Sequence, residues 1–221
     1  MSSVGPLVAE PVSLAEKAYY AIRAMIVSLE LRPGAVINER ELVQQLGIGR
    51  TPVREALRRL AQEQLVEVYP RRGMFVTSVE IRDLASLCEV RLVLEPHAAT
   101  LAAERATAAE RDALEALVAE IDADESLDRA ALMALDERIH RSVYACSHNT
   151  FLAETLEEYY VLALRIWHLA LDQASELGAA VQEHRPMLEA VSAGKARLAG
   201  ELMHRHVADF EEAMRRVLLG L

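Results

Sequence analysis

Two kinds of hydrophobic periodicity divide the chain. Within 13–62, apolar residues recur at helical spacing in three short segments, separated by residues that start or stop helices. Residues 65–69 and 74–77 are instead rich in β-branched and aromatic side chains around a Pro/Gly turn, as in a hairpin. From residue 79 onward the pattern is helical throughout. We therefore predict a mostly α protein, with three helices plus a β-hairpin followed by an all-α bundle of about six helices.

Specific residues mark the boundaries of the first three helices. Ser13–Glu16 and Asn38–Glu41 both match a capping box, in which the first side chain and the fourth satisfy orphan backbone amides. The first helix is predicted to end at Arg32–Gly34 and the second at Gly47. Thr51 is predicted to cap the third helix, because a proline follows it at the first helical position.

The second part of the chain has its own start and stop signals. Thr107–Glu110 is a further capping box, and Gly194 fits the left-handed residue that follows a helix. The pattern leaves open a break in the middle of the first of these helices. The predicted helices are at about 79–105, 108–123, 128–146, 150–174, 183–193 and 195–219.

The charge is distributed unevenly between these two parts. The 221 residues have a formal net charge of −10, and 52% of them are apolar, which excludes wholesale disorder. Residues 1–78 hold 10 basic and 8 acidic side chains, whereas 79–221 hold 14 and 26. Such asymmetry indicates nucleic-acid contact by one of the two parts. We predict a flexible arm at 1–12 and two domains, at 13–78 and 79–221, to which the motifs and resemblances below assign DNA binding and effector binding with dimerisation.

Cysteine content and apolar runs indicate the compartment. Cys88 and Cys146 form neither a disulfide framework nor a metal knuckle, which suits a reducing cytoplasm. No basic residue precedes Lys17, so no signal peptide is expected, and no apolar run reaches the ~18 residues that cross a bilayer. We expect a cytoplasmic protein with no membrane partner.

Three helices and a hairpin match the winged helix-turn-helix plan, in which the third helix enters the DNA major groove by its N-terminal end. Arginines lie where that geometry needs them, just before the third helix, along it and at the hairpin tip. Thr51 and the helix N-terminus can bind phosphate. The arginines are Arg50, Arg54, Arg58, Arg59, Arg71 and Arg72.

The motifs Glu39–Leu42, Arg50–Leu60 and Arg71–Val76 closely resemble the GntR family of bacterial transcription regulators. The resemblance covers 13–78 and implies binding to double-stranded operator DNA. Gly49 departs from the hydroxyl residue that many members carry, which puts one phosphate contact in doubt. The implied operator contacts are Arg40, Arg50, Thr51 and Arg54, with Arg72 and Gly73 placing the wing in the minor groove, and Arg58 is a further candidate.

Four residues of the helical part form a candidate metal site. Asp136 and His140 lie four apart on an apolar helix face, where an ionised carboxylate needs a partner. His206 lies on the apolar stripe of the last helix, and His184 lies at the start of its helix. Three imidazoles and a carboxylate suit Zn²⁺, Ni²⁺ or another first-row divalent metal. The alternative is hydrogen-bonded core residues without a metal.

This helical part resembles the ligand-binding domain of the FadR subfamily, also called the FCD domain. There an Asp-x-x-x-His pair and two later histidines hold a metal, which implies Asp136, His140, His184 and His206 as ligands. The subfamily senses small acidic effectors, and Arg91 and Arg165 are candidate clamps for an effector carboxylate. For Arg91, a salt bridge to Glu95 one helical turn away is the alternative.

We therefore expect a homodimeric repressor that binds a palindromic operator and senses a small carboxylate at a metal site. Two alternatives stay open. One is a metalloenzyme with a DNA-tethering head, although the chain has no candidate general base beside the ligands, no nucleophile elbow and no phosphate loop. The other is a regulator with structural histidines, no metal and an apolar effector.

Overall fold

The computed structural model describes residues 13–78, 81–123, 128–170 and 177–219. The predicted arm at 1–12 lies outside the described residues. The chain is divided into two compact units between Ser78 and Val79. No helix in the described ranges is both long and apolar enough to span a membrane.

The first unit contains three helices and a small antiparallel sheet, as predicted. The strand order is β1-β3-β2, and β2 and β3 form the expected hairpin. Strand β1 was not predicted, because two residues carry no periodic pattern and the strand forms only by pairing with Met74 and Phe75. The elements are α1 (Leu14–Val27), β1 (Val36–Ile37), α2 (Glu39–Leu46), α3 (Arg50–Gln62), β2 (Val66–Tyr69) and β3 (Gly73–Val76).

Two predicted helix boundaries in this unit are wrong. Helix α1 ends at Val27, because Leu29 adopts a left-handed conformation before Arg32–Gly34 is reached. Helix α3 is capped by Gly49 rather than Thr51, and Val53 N–H bonds to the Gly49 carbonyl at 3.3 Å. Thr51 and the proline after it then lie inside the first turn, where backbone amides have no acceptor within the helix and proline is tolerated.

The second unit is an all-helical bundle, also as predicted. The helix expected over 183–193 is preceded by a short extra helix, α8. The predicted end of α7 at 174 lies outside the described residues. The elements are α4 (Ile81–Arg105), α5 (Ala108–Asp122), α6 (Arg129–Cys146), α7 (Thr150–Ala170), α8 (Leu177–Gln182), α9 (His184–Ser192) and α10 (Ala196–Leu219).

Helix α4 runs unbroken through Pro96, so the break left open by the sequence does not occur. It packs closely on α10 at Gly200. A Cβ atom there would lie 2.5 Å from Thr100 Oγ1 and 3.2 Å from the Pro96 carbonyl oxygen. Gly200 therefore lets α10 approach the proline turn of α4, where a larger residue would clash.

Arg111 of α5 ties together the C-terminal ends of α4 and α9. Its Nη2 donates to the Ala103 carbonyl at 3.0 Å, and its Nη1 donates to the carbonyls of Val191, at 3.2 Å, and Ser192. These carbonyls belong to the last turns of α4 and α9, and a charged donor suits the negative end of a helix. Gly194 follows α9 with a φ of 69°, which confirms the predicted stop.

Candidate metal centre and DNA-binding surface

Helices α6, α9 and α10 bring the four predicted metal ligands together. Asp136 and His140 share one face of α6, His184 is the first residue of α9, and His206 projects from α10. One ligand atom from each lies within 4.8 Å of the others, and all four side chains are buried. Among the described residues, this is the one group with metal-ligand geometry.

Three of the ligand atoms face one another at short range. His140 Nε2 lies 3.1 Å from His184 Nε2. Asp136 Oδ1 lies 3.5 Å from His184 Nε2 and 3.9 Å from His140 Nε2. The rings of His184 and His206 have centroids 4.1 Å apart. The cluster therefore concentrates nitrogen and oxygen lone pairs within a small buried volume.

The opposite ring nitrogens determine where the protons lie. His184 Nδ1 is 3.2 Å from the Val181 carbonyl oxygen, and His140 Nδ1 is 3.2 Å from Glu95 Oε2. A carbonyl and a carboxylate accept but do not donate, so these neighbours favour a proton on each Nδ1 and a lone pair on each Nε2, although Glu95 Oε2 is near Nδ1 without forming an aligned hydrogen bond. Two such lone pairs facing each other at 3.1 Å repel, and a cation between them removes the repulsion.

The carboxylate of Asp136 shows the same pattern. Its Oδ2 accepts a hydrogen bond from the Tyr160 hydroxyl, whereas Oδ1 accepts none from the described residues and faces the imidazoles. A buried carboxylate oxygen without a donor is costly unless a cation neutralises it. The residues present therefore fit a divalent metal with N/O preference.

Burial keeps the imidazoles in the form that binds metals. Desolvation, opposed by Asp136, lowers the pKa of His184 to about 4. Desolvation, together with the two neighbouring histidines, holds the pKa of His206 well below its usual value. Both rings are therefore neutral at pH 7, and a neutral imidazole is the ligand form.

Three residues around the cluster were not predicted as part of it. Tyr160 of α7 bonds Asp136, and Glu95 of α4 and Tyr144 of α6 both approach His140 Nδ1 at 3.2 Å. Tyr144 could have been found, because it lies one turn from His140 on the same helix. For Glu95, the sequence indicated only a salt bridge with Arg91.

The two candidate effector clamps are both buried. Arg91 is 2% exposed, and its Nε bonds Glu95, which is the salt bridge that the sequence left open. Its Nη1 has no hydrogen-bond partner among the described residues. Arg165 of α7 is 1% exposed, and desolvation lowers its pKa to about 10.

The predicted DNA contacts of the first unit all lie on its surface. Arg54 forms a hydrogen bond within the unit, in which its Nε donates to Glu39 Oε2 at 2.7 Å. Gly73 has a φ of 105°, a conformation that favours glycine at the tip of the hairpin. The exposed residues are Arg40 on α2, Arg50, Thr51, Arg54 and Arg58 on α3, and Arg72 and Gly73 at the hairpin tip.

Arg59 differs from the other arginines of α3. Its guanidinium carbon lies 3.7 Å from the centre of the Tyr19 ring, and its Nε donates to Glu63 at 3.0 Å. The Tyr19 hydroxyl also donates to Glu63, at 2.8 Å. Arg59 therefore joins α3 to α1 within the fold.

Both parts of the chain match known protein families. Residues 14–76 match the bacterial regulatory proteins of the gntR family, and residues 86–209 match the FCD domain. The chain is 32% identical over 213 residues to an uncharacterized HTH-type transcriptional regulator in an unstable DNA locus of Streptomyces ambofaciens, covering 90% of this chain and 84% of the relative.

Two further comparisons agree. The chain is 32% identical over 182 residues to a probable D-xylose utilization operon transcriptional repressor of Paenarthrobacter nicotinovorans, covering 80% of this chain and 78% of that protein. The solved structure of E. coli McbR/YncC superposes with a TM-score of 0.79 at 26% identity, covering 91% of this chain and 99% of that one. These families and named relatives are regulators rather than enzymes, and the chain belongs to the GntR family of transcriptional regulators, with a C-terminal FCD domain.

Proposed function

We propose that this regulator is a homodimeric repressor that binds a palindromic operator and responds to a small organic acid at a metal site in its helical domain. One observation carries the proposal. His140 Nε2 and His184 Nε2 lie 3.1 Å apart beside Asp136 Oδ1, which accepts no hydrogen bond from the described residues. This arrangement favours a divalent cation over a purely structural role for the histidines.

Asp136, His140, His184 and His206 would hold the ion, with Zn²⁺ or Ni²⁺ as the best candidates. A divalent ion held by four protein ligands supplies a Lewis-acidic positive charge with coordination positions left for an oxygen ligand. Tyr160 orients Asp136, and the Val181 carbonyl orients His184, so the ligand atoms are directed before an ion binds.

Charge balance supports an anionic effector. The buried charged groups linked to the cluster are Arg91, Glu95 and Asp136, which together carry one negative charge. A divalent ion makes this buried set positive by one charge, and a single carboxylate restores neutrality. Arg91, with Nη1 unpartnered among the described residues, is the proposed clamp for that carboxylate. Arg165 is proposed as a second contact because it is a buried cation in the same domain.

For DNA, we assign the exposed arginines of α3 to base and phosphate contacts. Arg54 is the strongest candidate for reading a base, because Glu39 holds its Nε and leaves both terminal amino groups for a bidentate contact with guanine. Arg40, Arg50, Thr51 and Arg58 contact the backbone or neighbouring bases, and Arg72 and Gly73 bring the wing to the minor groove. Two copies related by a twofold axis match the two halves of a palindrome.

Regulation requires that the effector bind the DNA-competent and DNA-incompetent states with different affinity. A repressor released by its effector binds that effector more tightly in the state with low DNA affinity. The named repressor among the relatives supports repression.

The proposal is tested in two steps. Protein purified without a nickel column is assayed for bound metal by mass spectrometry, and a library of small organic acids is screened by thermal shift. Acids that raise the unfolding temperature are then added to gel shifts on an operator selected from random DNA. We expect about one metal ion per chain, and at least one acid that changes operator binding. No stoichiometric metal, together with a response only to apolar compounds, would favour structural histidines and an apolar effector.

A further inference from the structure

Glu95 connects two groups that the proposed function treats separately. One of its carboxylate oxygens, Oε1, pairs with Nε of Arg91 one helical turn earlier on α4. The other, Oε2, lies 3.2 Å from Nδ1 of the metal-ligand candidate His140 on α6, which is an ionic contact rather than an aligned hydrogen bond. Glu95 is fully buried, as are both of its partners. The carboxylate therefore bridges the candidate anion clamp and the candidate metal centre.

This arrangement differs from an ordinary arginine–carboxylate pair. Such pairs are commonly bidentate, with two parallel N–H···O bonds that occupy both oxygens. Here Arg91 contacts Glu95 through Nε, and its Nη1 has no hydrogen-bond partner among the described residues. The second oxygen of Glu95 is directed instead to an imidazole. A carboxylate that served only to neutralise Arg91 would not need to place one oxygen near the guanidinium and the other near an imidazole.

The contact with His140 has a chemical consequence. Because a negative charge 3.2 Å from Nδ1 repels a lone pair there, Glu95 favours the His140 tautomer with the proton on Nδ1 and a lone pair on Nε2 toward Asp136 and His184. It also makes that nitrogen a stronger donor to a metal, as outer carboxylates do for ligating histidines generally. The neighbouring Tyr144 hydroxyl, 3.2 Å from the same Nδ1, cannot impose one tautomer, since a hydroxyl both donates and accepts.

We infer that Glu95 is a positioning residue for the metal site, which selects the metal-binding tautomer of His140 and links that ligand to the guanidinium of Arg91. The inference rests on the proposed metal site. Through Glu95, an anion that captures Arg91 changes the carboxylate that orients a metal ligand. Metal affinity and anion affinity then become coupled, and by linkage each ligand affects the other equally.

The test compares Glu95→Gln with the wild type, using full-length protein stripped of metal with a chelator. Co²⁺ is titrated in as the probe, and its visible absorption bands report both affinity and coordination. We expect Glu95→Gln to bind Co²⁺ about 10- to 100-fold more weakly, with altered bands. Nitrogen-15 NMR of the metal-free protein is expected to show a single Nδ1-protonated tautomer for His140 in the wild type and loss of that single state in the variant.

Two controls separate positioning from a loss of folding. Glu89→Gln removes an exposed carboxylate from the same helix and is expected to leave Co²⁺ affinity unchanged. Glu95→Gln leaves the buried charge of Arg91 uncompensated, so the double variant Glu95→Gln/Arg91→Met removes that charge as well. We expect the double variant to bind Co²⁺ as weakly as Glu95→Gln.

The outcomes distinguish this inference from the proposed function. Wild-type affinity and an unchanged His140 tautomer in Glu95→Gln would overturn the role of Glu95 and leave the metal site intact. Recovery of wild-type affinity in the double variant would also overturn it, because charge compensation alone would then explain the loss. Failure of the wild type itself to bind Co²⁺ would instead reject the proposed metal site.

Discussion

The two units of this regulator hold their candidate functional residues in opposite ways. In the first unit, the arginines of α3 and the hairpin tip are exposed, and Arg54 pairs with Glu39 near the surface. In the second, the metal candidates and Arg91 are buried and linked through Glu95 and Tyr160. A surface that meets DNA must project its donors outward, whereas a small ligand is enclosed. Substitutions should therefore act independently in the first unit and cooperatively in the second.

The largest effect is expected in the buried cluster. Asp136→Ala removes one ligand and leaves His140 and His184 with facing lone pairs, so metal affinity should fall by more than about 100-fold, beyond the usual effect of an outer contact. In the wild type, metal present at 100 times its dissociation constant should stabilise the fold by about 2.7 kcal/mol. Thermal unfolding with and without a chelator measures both quantities.

Glu137→Ala is the matched control for that experiment, since it removes the adjacent carboxylate, which pairs with the exposed Arg141. It should retain the metal and its sensitivity to the chelator. If Asp136→Ala still carries one metal ion per chain, the buried cluster is not the binding site.

On the DNA side, a single arginine should have a smaller and separable effect. Arg54→Ala should weaken operator binding by about 1–3 kcal/mol if Arg54 reads a base. Arg59→Ala is the control on the same helix, because its guanidinium packs on Tyr19 and should not contribute to operator affinity. Gel-shift titrations on a selected operator measure both. Equal losses for the two variants would show that general charge, rather than a placed contact, binds DNA.

A substitution at Glu39 tests whether the Glu39–Arg54 pair affects operator binding by the first unit. Glu39→Gln removes the exposed acceptor that holds Arg54 Nε at 2.7 Å, and pairs of this kind contribute about 0.2–1 kcal/mol. We expect less than a tenfold decrease in the ratio of operator to non-specific affinity, while non-specific affinity rises because a negative charge is lost. An unchanged ratio would mean that Arg54 is oriented by the DNA alone.

The smallest effect concerns a surface contact of the helical unit. Glu110 closes the capping box of α5, and its bonds to Thr107 and His148 lower its pKa to about 2. A depressed pKa adds stability above the unfolded value near 4.5, and this is lost as the pH falls toward 2. Glu110→Gln should therefore cost under about 1 kcal/mol at pH 7 and progressively less below pH 4.5. Urea unfolding of both proteins at pH 7 and pH 3 measures the difference, and a constant difference would contradict the assignment.

Features that depend on residues within one helical turn could be predicted from the sequence. The Thr107–Glu110 capping box, the helix end at Gly47, the left-handed Gly194, and the shared face of Asp136 and His140 all occur as predicted. In each case the physical cause lies in residues three or four positions apart or in glycine's freedom of φ.

Features that depend on tertiary contacts could not be predicted. Tyr160 is 24 residues from Asp136, and nothing in the aromatic pattern of α7 shows which hydroxyl meets the carboxylate. Strand β1 exists only because β3 pairs with it. Gly49 is the N-cap of α3, although a threonine followed by proline favoured Thr51 at that position. Propensity is a weak guide wherever a partner from another element decides the outcome.

Helix α9 is held by hydrogen bonds at its C-terminal end and carries a metal-ligand candidate at its N-terminal end. Arg111 donates to the carbonyls of its last turn, and His184 is its first residue. A helix of 9 residues is about 13 Å long, so a tilt of about 5° at the fastened end displaces His184 by about 1 Å. If the proposed metal site is correct, a displacement of this size at His184 would be enough to break or complete a coordination bond, while the carbonyls held by Arg111 would hardly move.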